Sequence, residues 1–395
     1  MQSAVIVDVV RTGSGRGKPG GGLSHVHPAT LLATALVALL DRNDFDPALI
    51  DDVIAGCVTQ SGEQSLNIGR TAALAAGLPE SVPAATIDRQ CGSSQQAVHF
   101  AAQGVLAGAY DVVIACGVES MSRAPMFSNT QGQDPNAGPV RPRYPAGLVQ
   151  QGISAELIAA RYKLGRAELD EFAARSHRLA AAAADAGAFA SEIIPVQVDD
   201  TSDAVFDRDE TIRPGTTPEK LAGLPAAFHD SGQGRRFPEI GWHITAGNSS
   251  PLSDGASAAL IMSEHMATVL GLTPRARFRA FSVVGSDPLM MLTGPMAATE
   301  KVLKRSGLSV DDIDAFEVNE AFASVPLAWQ AGLAADPARL NPRGGAIALG
   351  HPLGASGTRI LATLVNYLES AGGRYGLQAM CEGGGMANAT IIERL

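Results

Sequence analysis

The sequence predicts an α/β protein made of two duplicated halves, with a loop-rich segment inserted between them. Three observations predict it. Short apolar strand-like runs alternate with helix-like runs near the N-terminus, the pattern of a mainly parallel sheet covered by helices. The alternation returns in the last third, where DDVIAGCV at 51–58 is matched by DDIDAFEV at 311–318, and DVVIACGVES at 111–120 by GLQAMCEGGG at 376–385. Between the two regions, roughly 120–261, the character changes to Pro-, Gly-, Asn- and Gln-rich loop around amphipathic alanine-rich stretches.

Element by element, Ala4–Val10 is an apolar strand and Ala29–Arg42 a Leu- and Ala-rich helix. Strand Asp52–Val58, helix Asn67–Ala76 and strand Ala84–Ile87 follow, then helix Ser93–Ala107 and the continuously apolar strand Asp111–Gly117. The insertion holds loop at Met121–Pro145, alanine-rich helix at Ser154–Gly187 and irregular chain at Asp199–Trp242. The last third reads strand Ala276–Val284, helix Met296–Arg305, strand Asp314–Val318, helix Ser356–Glu369 and strand Tyr375–Met380, with Ala389–Arg394 closing the chain. Three units result: 1–120, 121–250 and 251–395, with 251–270 available to complete the first.

A chain of 395 residues with 46% hydrophobic and 18% charged residues has the material for a large core. The net charge of −10 excludes nucleic acid as a main partner, because phosphate backbones require a basic face. The start MQSAVIVDVVRT lacks a basic region and a long apolar run, and no stretch reaches the roughly 18 apolar residues of a membrane span, so a soluble, cytoplasmic protein is expected. Cys57, Cys91, Cys116 and Cys381 are scattered without CxxC, which favours free thiols over disulfides or zinc, and no metal site is expected. Gly15–Gly20 matches GxGxxG after a strand, but Pro28 and irregular chain separate it from the next helix, so it is not read as a dinucleotide site.

Four positions carry candidate chemistry. Cys91 lies between a short strand and the start of a helix, where unpaired N–H groups and the helix dipole favour a thiolate; a small buried hydrophobe would fit the same place. His351, between Gly350 and Pro352, stands at a helix-starting turn and suits a general base or an oxyanion donor, or else a structural histidine. Cys381 ends a strand before Gly383, Gly384 and Gly385, whose unobstructed N–H groups suit an oxyanion hole or simply a tight turn. Asn319 ends the strand duplicating 51–58, at the edge where such sheets bind ligands; a helix cap is the alternative. Together they offer a nucleophile, acid–base groups and oxyanion donors.

DRQCGSSQQA, GVESMS, TAGNSSPLSDGASA, VNEAFA, NPRGGAIALGHPLGASG and CEGGGM occur here in the order of the thiolase family, and the resemblance covers essentially the whole chain. It implies a thiolase fold: two duplicated mixed-sheet α/β halves in five layers, with an inserted loop domain. It implies an acyl-CoA C-acyltransferase, a homodimer or homotetramer using acyl-CoA and coenzyme A as substrates with no further cofactor. Cys91 would become acylated, Cys381 would move the proton at the acetyl methyl, and His351 would activate Cys91 and, with a water held by Asn319, stabilise the enolate. The N–H groups of Cys91 and Gly383 would form a second oxyanion hole. Coenzyme A contacts would fall on Arg213, Phe228, Ala246, Ser250, Leu252, Met291, Ala321 and Phe322.

The sequence also departs from the family's biosynthetic members. Ser94 replaces a frequent glycine, Gln150–Gln151 replaces His-Met, and Ser231–Trp242 is an insertion carrying Arg235 and Arg236. GCVTQSGEQS and CEGGGMANATIIERL resemble actinobacterial degradative thiolases, including those of steroid catabolism. A degradative 3-ketoacyl-CoA thiolase is therefore expected; the alternatives are an acetoacetyl-CoA enzyme or a catalytically silent acyl-CoA-binding protein.

Overall fold

The computed structural model describes residues 3–198 and 204–395. Its framework is nine strands: β1 (Ala4–Thr12), β2 (Asp52–Gly56), β3 (Ala84–Ile87), β4 (Val112–Ser120), β5 (Ser253–Ser263), β6 (Ala276–Gly285), β7 (Ala315–Val318), β8 (Tyr375–Glu382) and β9 (Met386–Arg394). They form one continuous path in the order β7-β8-β9-β6-β1-β5-β4-β2-β3. β1 and β6 join the two halves through a short antiparallel contact, Val5 opposite Arg277 and Ile6 opposite Ala276.

The duplication seen in the sequence is a duplication of topology. β2 and β4 pair in parallel, as do β7 and β8. Each pair is continued by an antiparallel strand, β5 or β9, and then by β1 or β6. The counterpart of β3 has shrunk to one parallel bridge between Phe316 and Leu340. The sheet is thus mixed, not mainly parallel, because β5 and β9 run against their neighbours. β5 has no strand counterpart in the sequence reading.

Eight helices of the described residues clothe these strands: α1 (Pro28–Asp41), α2 (Ile68–Ala75), α3 (Ser93–Leu106), α4 (Gln151–Tyr162), α5 (Arg166–Asp185), α6 (Gly294–Ser306), α7 (Ser324–Leu333) and α8 (Ser356–Ala371), alongside shorter ones. α1 begins on Pro28 because a proline at the first position loses no hydrogen bond, and Nδ1 of His27 accepts from Ala29 N–H at 3.1 Å. The helical stretch expected at 154–187 divides into α4 and α5. Lys163 takes a left-handed φ of 56° and Gly165 caps α5. Of the irregular stretch 199–242, residues 199–203 lie outside the described residues.

Alternate residues of each strand enter different cores. Ala256, Ala258, Leu260 and Met262 of β5 pack with α1 and α2, whereas Ala259 and Ile261 pack with α3 and α8. α3 also reaches the second half, where Gln95 and His99 both meet Thr390 of β9. The outer face of that half, Leu377, Ala379, Ala387, Ala389 and Ile391, is covered by α6 and α7. The layers run helix, sheet, helix, sheet, helix, with α3 and α8 in the middle. Arg11 of β1 ties the insertion down, pairing at 2.7 Å with both Glu192 and Asp209 in full burial.

Candidate active site

The starts of α3 and α8 meet at the centre of the molecule. Glycines allow it: a Cβ on Gly354 would stand 2.6 Å from Val118 O and 2.7 Å from the Cys57 Cα. Glu119, the penultimate residue of β4, draws the same pieces together. Its carboxylate accepts from Val58 N–H and Gly354 N–H at 2.9 Å, Thr59 N–H at 3.0 Å and the Gln64 amide at 2.9 Å. A buried acid with four donors has its lone pairs satisfied, yet burial still holds it above the usual carboxylate range.

Cys91 precedes Gly92, the cap of α3, and packs against Val58, Met121, Leu353, Ile360 and Met380. His351 sits in the turn before α8. Gly350 supplies a φ of +83°, and a Cβ there would come 2.7 Å from Ser253 Oγ, the group that accepts from His351 N–H at 3.0 Å. Nδ1 of the imidazole is 2.6 Å from Ser356 Oγ, and Nε2 is 3.4 Å from the Asn319 amide nitrogen. Asn319, one residue past β7, donates its N–H to Ala379 O at 3.0 Å, and its side chain works against burial by favouring the Cys381 thiolate. Four residues expected from strand ends and helix starts are thus gathered from both halves, all nearly closed to solvent: Cys91 and His351 are 4% exposed, Asn319 and Cys381 1%.

Burial dominates the electrostatics. It pushes the Cys91 thiol up to about 12, outweighing the helix start expected to favour the thiolate. Cys381 is raised well above its ordinary value by burial first, then by Cys91 and Glu382. His351 is lowered to about 3 by burial and by the charge of Arg359. At neutral pH the resting site therefore holds two thiols and one neutral imidazole, so a thiolate must be made by proton transfer to a base. Cys57 and Cys116 are also fully buried with raised thiols.

Gly383 faces the insertion: a Cβ on it would lie 2.9 Å from Gln90 Oε1 and 3.2 Å from Gln151 Nε2. Of the expected coenzyme contacts, one group coheres. Ser250 donates its N–H to Ala321 O at 3.0 Å and its hydroxyl to the same oxygen at 3.1 Å, and Phe228 meets Phe322 edge-on at 5.8 Å. Met291, Ala321 and Phe322 belong to the buried core. Ala246, Leu252 and Arg213 are exposed, Arg213 giving its N–H to His177 Nδ1 at 3.2 Å.

A thiolase N-terminal domain model matches residues 4–265, and a thiolase C-terminal domain model matches 272–394. The chain belongs to the thiolase family. This thiolase is 48% identical to a steroid 3-ketoacyl-CoA thiolase of Mycobacterium tuberculosis, covering 100% of this chain and 95% of the other. It is 45% identical to a 3-ketoacyl-CoA thiolase of Hahella chejuensis, covering 100% and 99%. The crystal structure of the Bacillus anthracis acetyl-CoA acetyltransferase superimposes with a TM-score of 0.89 at 38% identity, over 100% of this chain and 99% of that one. The thiolase is an acyltransferase, its family uses coenzyme A as a co-substrate, and no helix of its described residues is long and apolar enough to cross a membrane. The sequence reading missed the thiolase's Glu119, Ser253, Ser356 and Glu382 as site residues. Only Glu119 left a signal, as a charge near the end of an otherwise apolar strand.

Proposed function

We propose that this protein catalyses coenzyme A-dependent cleavage of a 3-ketoacyl-CoA to acetyl-CoA and a shortened acyl-CoA, in the degradative direction. The observation that carries the reading is the convergence of two thiols, a neutral imidazole and an amide in one closed site. His351 takes the Cys91 proton, and the thiolate attacks the keto carbon. The bond between that carbon and the neighbouring methylene breaks, its electron pair leaves as the enolate of acetyl-CoA, and Cys381 protonates the enolate carbon. Coenzyme A then gives its thiol proton to Cys381 and attacks the Cys91 thioester, and the departing Cys91 sulfur recovers its proton from His351. Asn319, whose Oδ1 has no partner among the described residues, holds a water, and that water and His351 together stabilise the enolate oxygen. The Cys91 and Gly383 N–H groups stabilise the tetrahedral intermediates. Coenzyme A contacts the group formed by Ser250, Ala321, Phe228 and Phe322, with Arg213, Ala246, Leu252 and Met291 as its further contacts.

Residues 1–120 and 251–395 act as the two catalytic halves, 251–270 completing the first, and 121–250 as the substrate-facing insertion. The protein works in the cytoplasm as a homodimer or homotetramer. The resemblance to a steroid 3-ketoacyl-CoA thiolase and to a 3-ketoacyl-CoA thiolase supports an acyl substrate larger than acetoacetyl. Each buried methylene contributes about 0.8 kcal/mol, so a few carbons shift preference by one or two decades. Thiolysis kinetics across short, long and polycyclic 3-ketoacyl-CoAs test this. A higher kcat/KM is expected for a bulkier substrate, and preference for acetoacetyl-CoA over every longer one would overturn the reading.

A further inference from the structure

The geometry points to Ser356 as a positioning residue that fixes which nitrogen of His351 carries the proton, leaving Nε2 bare to receive one. The inference rests on the reading of His351 as the base for Cys91, but is tested independently of it.

A serine hydroxyl has one proton to give. Ser356 Oγ lies 2.8 Å from Pro352 O and 2.6 Å from His351 Nδ1. Ser356 is the first residue of α8, and the start of that helix folds back over Pro352, four residues earlier. The hydroxyl donates to this carbonyl, so it faces the imidazole with a lone pair, and Nδ1 must supply the hydrogen. The second nitrogen gives the same answer. Nε2 is faced by the Asn319 amide nitrogen at 3.4 Å, a donor. Nε2–H would set two donors against each other, whereas bare Nε2 accepts. Reversing Ser356 so that it donates to Nδ1 would create that conflict on the far side of the ring.

Burial leaves no easy substitute for these partners: Ser356 is fully buried and His351 is 4% exposed. The imidazole is also fixed from its backbone, because His351 N–H donates to Ser253 Oγ, which itself donates to Pro251 O at 2.9 Å. The ring can therefore neither swing to another acceptor nor exchange its proton with bulk water freely. The arrangement parallels the use of a hydrogen-bonded partner to set a catalytic imidazole's tautomer, here achieved with a neutral hydroxyl and a backbone carbonyl instead of a carboxylate. A neutral partner does not stabilise the imidazolium by charge, so the proton taken from Cys91 is held loosely and is readily returned.

The test is the ¹⁵N spectrum of the full protein labelled in histidine, with the His351 signals identified by their loss in His351→Asn. At pH 7 the expected spectrum has a protonated Nδ1 and an unprotonated Nε2; protonated Nε2 overturns the proposal whether or not any variant folds. Ser356→Ala should populate the other tautomer and slow formation of the Cys91 acyl-enzyme by about 10²-fold, with little change in coenzyme A affinity. Ser356→Thr, which keeps the hydroxyl, should restore both. Acylation and tautomer unchanged in Ser356→Ala overturn the role. Acylation unimpaired in His351→Asn would instead overturn His351 as the base, and the wild-type spectrum would still decide the tautomer.

Discussion

Gly357 of α8 rests against Gln95 of α3 so closely that a Cβ on the glycine would stand 2.7 Å from the Gln95 Cα. The two helices descend from equivalent places in the duplicated halves, and their first turns cross at this point. The crossing brings the turn that bears His351 over the end of the loop that bears Cys91.

Gly357→Ala should therefore damage stability and chemistry together. The inserted methyl meets backbone, which cannot rotate away, and overpacking of this kind costs about 1–3 kcal/mol or more. Urea denaturation should show the loss, and the acylation rate should fall further than coenzyme A affinity. A variant as stable and as active as the parent would mean that the helices can separate without consequence.

Separate roles for the two cysteines predict separable defects. Cys91→Ala should accept no acyl group from acyl-CoA in peptide mass mapping. Cys381→Ala should still be acylated on Cys91 but lose hydrogen exchange at the acetyl methyl of acetyl-CoA by ~10²–10⁴-fold. Exchange at the parental rate in Cys381→Ala would reject it as the acid–base group.

Glu382 predicts an alkaline limit. Both of its oxygens are buried without a partner among the described residues, beside Gly92, and burial raises it from 4.5 to about 8. Because the folded value lies above the unfolded one, stability present below about pH 4.5 is progressively lost as pH rises toward 8. Ionisation also places a negative charge near both thiols, opposing their thiolates. Glu382→Gln should extend single-turnover acylation to higher pH and flatten the decline in stability. An unchanged alkaline limb would remove Glu382 as its source.

Acid stability has a histidine component. His99 and His351 are lowered to about 3 and His177 to about 4, each chiefly by burial. With folded values below the unfolded 6.5, they cost nothing above that pH and favour unfolding as it falls. Each contributes a slope of about 1.4 kcal/mol per pH unit while the unfolded chain alone is protonated. His99→Gln, away from the proposed catalytic cluster, should reduce the slope between pH 6 and 5 by about that amount in urea titrations. Parallel parent and variant curves would show that His99 is protonated in the fold.

The sequence made Cys91, Asn319, His351 and Cys381 visible because each interrupts a regular run at its end, where polar or reactive side chains have no packing task. Strand β5 was hidden by its composition: Ser253–Ser263 is mostly Ala, Ser and Gly, small enough to be buried on both faces, and Ile261 is its one residue of the β-branched kind that marks a strand. The break between α4 and α5 was masked by alanine on both sides of Lys163. Ser356 and Glu119 act through partners that only folding assembles. Glu119 and Gly354 are 235 residues apart, and nothing local to either announces the bond.

Strand β5 also bears on how the protein is born. Its place is between β1 and β4, yet the ribosome delivers it only after the entire insertion has been made. At ~5–20 residues per second, the nascent chain spends on the order of ten seconds with both of those strands lacking their shared neighbour. Two apolar ladders are exposed together in that interval, and each can be satisfied by the other or by a second nascent copy. Such a chain is a natural client for chaperones that shield edges during synthesis, and slowing translation across the insertion should lower its yield of folded protein.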